Sequence, residues 1–234
     1  MKVVVLACAV MEDLVRPHLD DPSIETIYME IGLHEKPKKM APALQEQLDA
    51  IEEPSLVLLG YGLCGTGIVD IEAGRHTLVI PKTHDCIAIL LGSHQEYQKT
   101  VDENPGTYYL SKGWLEGEFD PLREYDSYVE QFGKKSADLV IDTMYQHYSR
   151  LCLVAHSEED LASQRERAHV VAAFCKERWG MEYSERVGSD ALIAKLMDAP
   201  RHLDLLGDEF VVVPPGGKVT LEQFVDFRAP TPAR

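Results

Sequence analysis

Fully apolar runs alternate with segments of helical period along most of the chain. Residues 2–10 open with VVVLA, β-branched and apolar without interruption, which predicts a central parallel strand buried on both faces. Residues 11–19 read as a short helix and residues 24–31 (IETIYMEI) alternate like a second strand. Residues 40–51 place Leu44, Leu48 and Ile51 on one helical face. Residues 55–59 (SLVLL) predict a third strand that runs into the glycine cluster GYGLCGTG. Residues 77–80 (TLVI) predict a fourth, stopped by Pro81. A helix over 85–91 follows, with more helix over 93–101 after Gly92.

The middle of the chain changes character. Residues 106–113 with Trp114 form a short aromatic strand and turn, and 121–132 and 137–148 read as helices. Strand–helix alternation then returns: a strand at 151–155 (LCLVA), a long helix at 158–179, a strand at 181–186, a helix at 190–197 and a strand at 209–213 (EFVVV). Together these predict an α/β fold with a mostly parallel sheet, Rossmann-like and three-layered, arranged as two similar lobes. The division expected is an N-terminal lobe over 1–104, an aromatic and helical connector over 105–149, a C-terminal lobe over 150–228 and a Pro-rich tail over 229–234, with the lobes packed as one compact unit.

Composition narrows the partners. A net charge of −16 repels phosphate backbones, so nucleic acid is not an expected partner. No apolar run approaches the ~18–20 residues that span a bilayer, and the N-terminus lacks the basic flank and cleavage site of a signal peptide. A cytoplasmic protein with no membrane partner is expected. Edge-strand homo-oligomers remain open. Five cysteines, odd in number and with no CxxC, argue against both a disulfide framework and a local zinc knuckle.

The chemistry is expected at one edge of the sheet. Cys8 closes the first predicted strand, Cys64 lies in the loop after the third, and Cys86 follows the fourth. If those strands are parallel neighbours, the three thiols meet outside their carboxyl ends. Three thiolates with a fourth position open suit zinc, and an iron–sulfur cluster is the alternative. Buried cysteines also serve simply as small hydrophobes, the reading that Cys152 and Cys175 fit best. The loop holding Gly62, Gly65 and Gly67 contains GxGxxG, but only about two helical turns fit before the next strand, too few for a dinucleotide crossover. Those glycines are better read as letting a ligand or metal approach Cys64, with the loop amides as an anion nest. In the stretch PKTHDC, Thr83 or Asp85 caps the next helix, whose dipole is expected to favour a Cys86 thiolate. His84 and Asp85 are the candidates for moving protons, His84 beside the site rather than as a ligand. His34 and His156 are weaker candidates, and Tyr108, Tyr109 and Trp114 either line a pocket for a flat or cationic ligand or pack a half-buried strand.

At GYGLCGTG, PKTHDCIAILLGS and GTYYLSKGW the chain resembles the family catalogued as domain of unknown function 1638, over most of its length. The resemblance implies a role near corrinoid-dependent methyltransferase systems acting on methylated amines or related one-carbon compounds. It also implies a corrinoid protein or methyltransferase as partner, with corrinoid contact as an alternative to zinc. Cobalamin-dependent methyl transfer to thiols uses zinc held by thiolates as a Lewis acid, where the residue reading and the resemblance meet. The chain is too short for a full barrel methyltransferase of ~250 residues and has no DxHxxG-like stretch, so a partner or accessory is expected rather than the corrinoid carrier. In this scheme the open metal position takes a thiol or an amine. A non-catalytic assembly, metallation or iron–sulfur redox factor is the alternative.

Overall fold

The computed structural model describes residues 1–117, 119–203 and 206–224, the side chains of residues 34 and 35 excepted. In chain order its elements are β1 (Lys2–Cys8), α1 (Glu12–Val15), β2 (Glu25–Met29), α2 (Pro37–Ala50), β3 (Ser55–Gly60), β4 (Thr77–Pro81) and α3 (Cys86–Leu90). There follow α4 (His94–Glu103), β5 (Thr107–Leu110), α5 (Lys112–Glu116), α6 (Pro121–Phe132), α7 (Lys134–Tyr145), β6 (Arg150–Ala155) and α8 (Glu158–Trp179). β7 (Glu182–Val187), α9 (Ala191–Asp198) and β8 (Phe210–Val213) complete the chain. The fold is α/β with mostly parallel sheets, Rossmann-like.

Two compact units form, and their division differs from the one the sequence suggests. The first holds Met1–His94 and the described residues from Asp190 on; the second holds Gln95–Ser189. Residues 105–149 are not a connector, because β5 pairs in parallel with β6 along Thr107↔Arg150 to Leu110↔Leu153. Nor do the last elements complete a second lobe: α9 touches β3 and β4, and β8 pairs antiparallel with β4.

The sheet of the first unit has the order β2-β1-β3-β4-β8, with all but β8 parallel. Every residue of β3 is buried, as is Val4–Ala7 of β1, which is why these stretches are apolar at each position rather than alternating. Val4, Leu6, Val57, Leu59, Leu78 and Ile80 pack with Met40, Leu44 and Leu48 of α2. The alternate residues Val5, Ala7, Leu58 and Val79 are as fully buried on the other face, where α1 and α9 touch. An order of 2-1-3-4 puts the topological switch between β1 and β3, since the chain leaves β1 first to one side and later to the other. Ligands of such sheets bind in the crevice outside the carboxyl ends at that point.

The second unit has a parallel sheet of order β5-β6-β7. The long α8 touches β6 and β7 and carries the signals of a stable helix. Ser157 caps it by accepting from the Asp160 amide (3.1 Å), acidic residues fill the first turn, and Gly180 ends it at φ 73°. Asp120 caps α6 through the amides of Leu122 and Arg123 (3.1 Å each), is wholly buried, and pairs with Arg167 at 2.7 Å. Among the described residues no helix is long and apolar enough to cross a membrane.

Candidate functional site

Three strand ends build the site. Cys8 is the last residue of β1, and its neighbour Ala7 stands opposite Gly60, the last residue of β3. Tyr61 follows at once. The chain leaving β3 then runs beside the chain leaving β4: the Leu63 amide donates to the Thr83 carbonyl and the Cys64 amide to the His84 carbonyl, both at 2.9 Å. Only glycine permits this at position 62, because a Cβ there would lie 2.8 Å from the Asp85 carbonyl carbon and oxygen and 2.7 Å from Thr83 Oγ1. Asp85 caps α3, its Oδ1 accepting from the Ile87 amide at 2.9 Å, which makes Cys86 the first residue of that helix.

Past Cys64 the backbone is strained. Cys64, Gly65 and Thr66 all take left-handed conformations, with φ of 47°, 62° and 75°. For a side chain with a Cβ that region costs about 1–2 kcal/mol, and for a β-branched residue it is an outlier. Turns closed by Gly67 N–H to Cys64 O and Val69 N–H to Thr66 O, both 3.1 Å, hold it. Gly65 supplies the positive φ, and Gly67 lets Met40 of α2 approach, its Sδ lying 2.7 Å from where a Cβ would be. The loop of residues 61–76 therefore reaches β4 through turns and carries no helix for a dinucleotide. Such strain persists where the surroundings dictate it, often at functional positions.

Burial dominates the electrostatics of the cysteines. Burial first, then the nearby Asp85 carboxylate and Cys8, push the Cys64 thiol up to about 12. Burial first, then Cys64, Asp85 and Cys8, push Cys86 well above the ordinary thiol value, and burial raises Cys8. The sequence expectation for Cys86 is thus corrected: α3 has only five residues, and loss of water outweighs its dipole. Backbone groups act the other way more weakly, Gly62 and Cys86 on Cys64, Val10 on Cys8, and the Cys86 backbone on its own thiol. Among the described residues no three His, Cys, Asp or Glu side chains are drawn into a group that could hold a metal ion.

Tyr61 is the functional candidate that the sequence reading passed over. It is 2% exposed, its hydroxyl has no hydrogen-bond partner, and Cys8, Cys64 and Cys86 each bear on that hydroxyl electrostatically, raising its pKa after the larger effect of burial. Beside Gly62, the Thr83 hydroxyl is also buried without a partner. An aromatic residue between two glycines at a strand end is the signal that pointed here. His84 is exposed, its ring 5.8 Å from that of His94, while its carbonyl anchors the Cys64 amide.

Other candidates lie elsewhere. Cys152 and Cys175 are core residues of the second unit, 1% and 0% exposed. There His156 Nδ1 stands 3.3 Å from Asp160. Tyr108 packs edge-on against Tyr145 and Tyr148, and Trp114 joins the same cluster, so these two serve packing; Tyr109 lies against Tyr97. The His34 side chain falls outside the described residues.

No curated protein and no solved structure matches the chain. A family model does, over residues 28–197, a span that includes Tyr61, the glycine loop, Cys64 and Cys86. The chain belongs to the family described as protein of unknown function (DUF1638).

Proposed function

We propose that the protein is a thiolate metal-binding protein, taking zinc through Cys8, Cys64 and Cys86, that acts in or assists corrinoid-dependent methyl transfer from methylated amines or related one-carbon compounds. One observation supports the metal reading: Cys8, Cys64 and Cys86 follow the ends of three neighbouring parallel strands and so lie at one edge of the sheet, outside the β1/β3 switch point. Placement in a corrinoid system rests on what the family resemblance implies.

Thiolate sulfurs suit zinc by donor type, while among the described residues the three side chains are not drawn into a group that could hold it. Three soft donors leave a fourth position open, the arrangement of catalytic rather than structural zinc. The hydroxyls of Tyr61 and Thr83, on the segments leaving β3 and β4, are buried without a hydrogen-bond partner. When bound, zinc supplies Lewis acidity and lowers the pKa of what it holds. The chain's own residues do the rest. Cys8, Cys64 and Cys86 would hold the ion as thiolates, having given up their protons to solvent. Exposed His84 takes up protons at the rim, while Asp85 fixes α3 with one carboxylate oxygen.

Cysteines at one sheet edge equally suit an iron–sulfur cluster, and this supports a second reading as a redox or metallation accessory. The test is metal analysis with an absorption spectrum of anaerobically purified protein, beside Cys64→Ser. About one zinc per chain, colourless and lost in the variant, is expected; a brown protein that bleaches in air selects the second reading. No metal in either protein refutes both.

A further inference from the structure

A cavity of about 720 Å³ opens between the first half of α2 and the loop that leads from β3 to β4. No cysteine lines it, so it is separate from the edge described above. Its volume is that of a small-molecule site, and its walls are mostly apolar: Ala41 and Pro42 of α2, Val69 and Ile71 of the loop, and Leu221. Thr66 and Asp70 line it too, and both hold left-handed backbone at φ 75°. Such a conformation is costly for a residue with a Cβ and is kept where surroundings dictate it, ligand clamps among them.

Most polar groups of the wall are already satisfied. Asp70 is neutralised by Lys218 at 2.8 Å. The Gln45 amide is held at both ends by the Glu72 backbone, its Nε2 donating to the carbonyl at 3.2 Å and its Oε1 accepting from the amide at 2.9 Å. Two donors are left over. Lys38 is exposed and pairs with no carboxylate among the described residues, and the Thr66 hydroxyl has no hydrogen-bond partner among them. Lys36 and Lys39 beside it are exposed as well, so a chain of net charge −16 presents a cationic segment here.

We propose that this cavity binds a small monocarboxylate with an apolar tail, the tail against Ala41, Pro42, Val69 and Leu221 and the carboxylate on the Lys38 ammonium and the Thr66 hydroxyl. Burial of the tail drives binding, and charge selects the class. One unpaired cation and a neutral hydroxyl match one negative charge through charge-assisted hydrogen bonds. A cationic amphiphile of the same shape meets Lys38 with like charge.

Isothermal titration calorimetry on the whole, metal-free chain tests this with octanoate, and with octylamine as the cation of equal tail length. Octanoate should bind saturably at one site per chain, and octylamine should not. Lys38→Gln should weaken octanoate binding at least about fivefold at low salt, while Lys99→Gln, equally exposed on α4, should leave it within about twofold. Both should melt with the parent, since surface changes of this kind alter stability little. Ala41→Trp fills the cavity from α2 and should abolish binding. No saturable octanoate binding, octylamine binding as tightly as octanoate, or a loss in Lys38→Gln no greater than in Lys99→Gln overturns the proposal. So does an Ala41→Trp protein that is folded by its melt and binds octanoate unchanged. None of these results bears on the thiolate reading, which metal analysis decides.

Discussion

Replacing Gly62 by alanine tests the zipper that brings Cys64 and Cys86 together. The new Cβ would stand 2.7–2.8 Å from Thr83 Oγ1 and from the carbonyl carbon and oxygen of Asp85. Ordinary carbon contacts lie near ~3.5–4.0 Å, so the 83–85 segment must retreat by roughly 0.7 Å or more, and backbone cannot swing aside as a side chain does. The retreat strains two hydrogen bonds of 2.9 Å, Leu63 to Thr83 and Cys64 to His84. Overpacking costs about 1–3 kcal/mol and each bond about 0.5–1.5 kcal/mol, giving about 2–6 kcal/mol in total. Urea unfolding of metal-free protein, read from the midpoint at constant slope, measures it. Zinc competition with a chromophoric chelator should show weaker uptake too, because the segments carrying Cys64 and Cys86 move apart. A variant within about 0.5 kcal/mol of the parent with unchanged zinc affinity would refute the reasoning, since the close approach would then constrain nothing.

Three other outcomes are expected. Thr66→Gly removes a β-branched side chain from φ 75° and should raise stability by about 1 kcal/mol in a thermal or urea melt, leaving metal content unchanged. In reduced, chelated protein the folded thiols of Cys8, Cys64 and Cys86 hold their protons above the ordinary 9.0. Their stabilising effect is therefore full below about pH 9 and is lost as pH rises toward 12, by up to about 1.4 kcal/mol per thiol per pH unit. Urea midpoints between pH 8 and pH 11 should fall less steeply in Cys64→Ala. In the second unit, Arg167→Ala strips the partner from a wholly buried Asp120 and should cost about 3 kcal/mol, against almost nothing for exposed Arg201→Ala. Equal effects of the two arginines in urea melts would contradict that assignment.

Much of the fold is written locally. β1 and β3 lie inside a parallel sheet, so both faces need apolar residues, and VVVLA and SLVLL announce that without reference to the rest of the chain. That Cys8, Cys64 and Cys86 lie at one sheet edge follows from the same logic, because residues just past parallel strands share an edge; whether their side chains gather is not written there. Pairing partners are less legible. β8 is four residues long, and nothing in FVVV says that it returns to β4 antiparallel after the whole second unit has intervened. TYYL of β5 is equally short, and only its partner β6 makes residues 105–149 part of a sheet rather than a connector. The left-handed run at Cys64–Thr66 is hidden for another reason: glycine announces it at one position of three, and the two neighbours follow through tertiary constraint. Burial at Cys86 is likewise a property of the assembled edge, where it reverses the local expectation of a dipole-favoured thiolate. Tyr61 emerges only once its buried hydroxyl is seen to lack a partner.

The most direct test of the central claim counts metal and protons together. Zinc is titrated into reduced, metal-free protein at pH 7.5, with calorimetry in buffers of different ionisation enthalpy. Because all three thiols carry protons beforehand, one zinc should bind per chain with close to three protons released, falling to about two, with weaker binding, in Cys64→Ser. Zinc uptake that releases no protons, or that is unchanged in Cys64→Ser, would contradict a centre built on Cys8, Cys64 and Cys86.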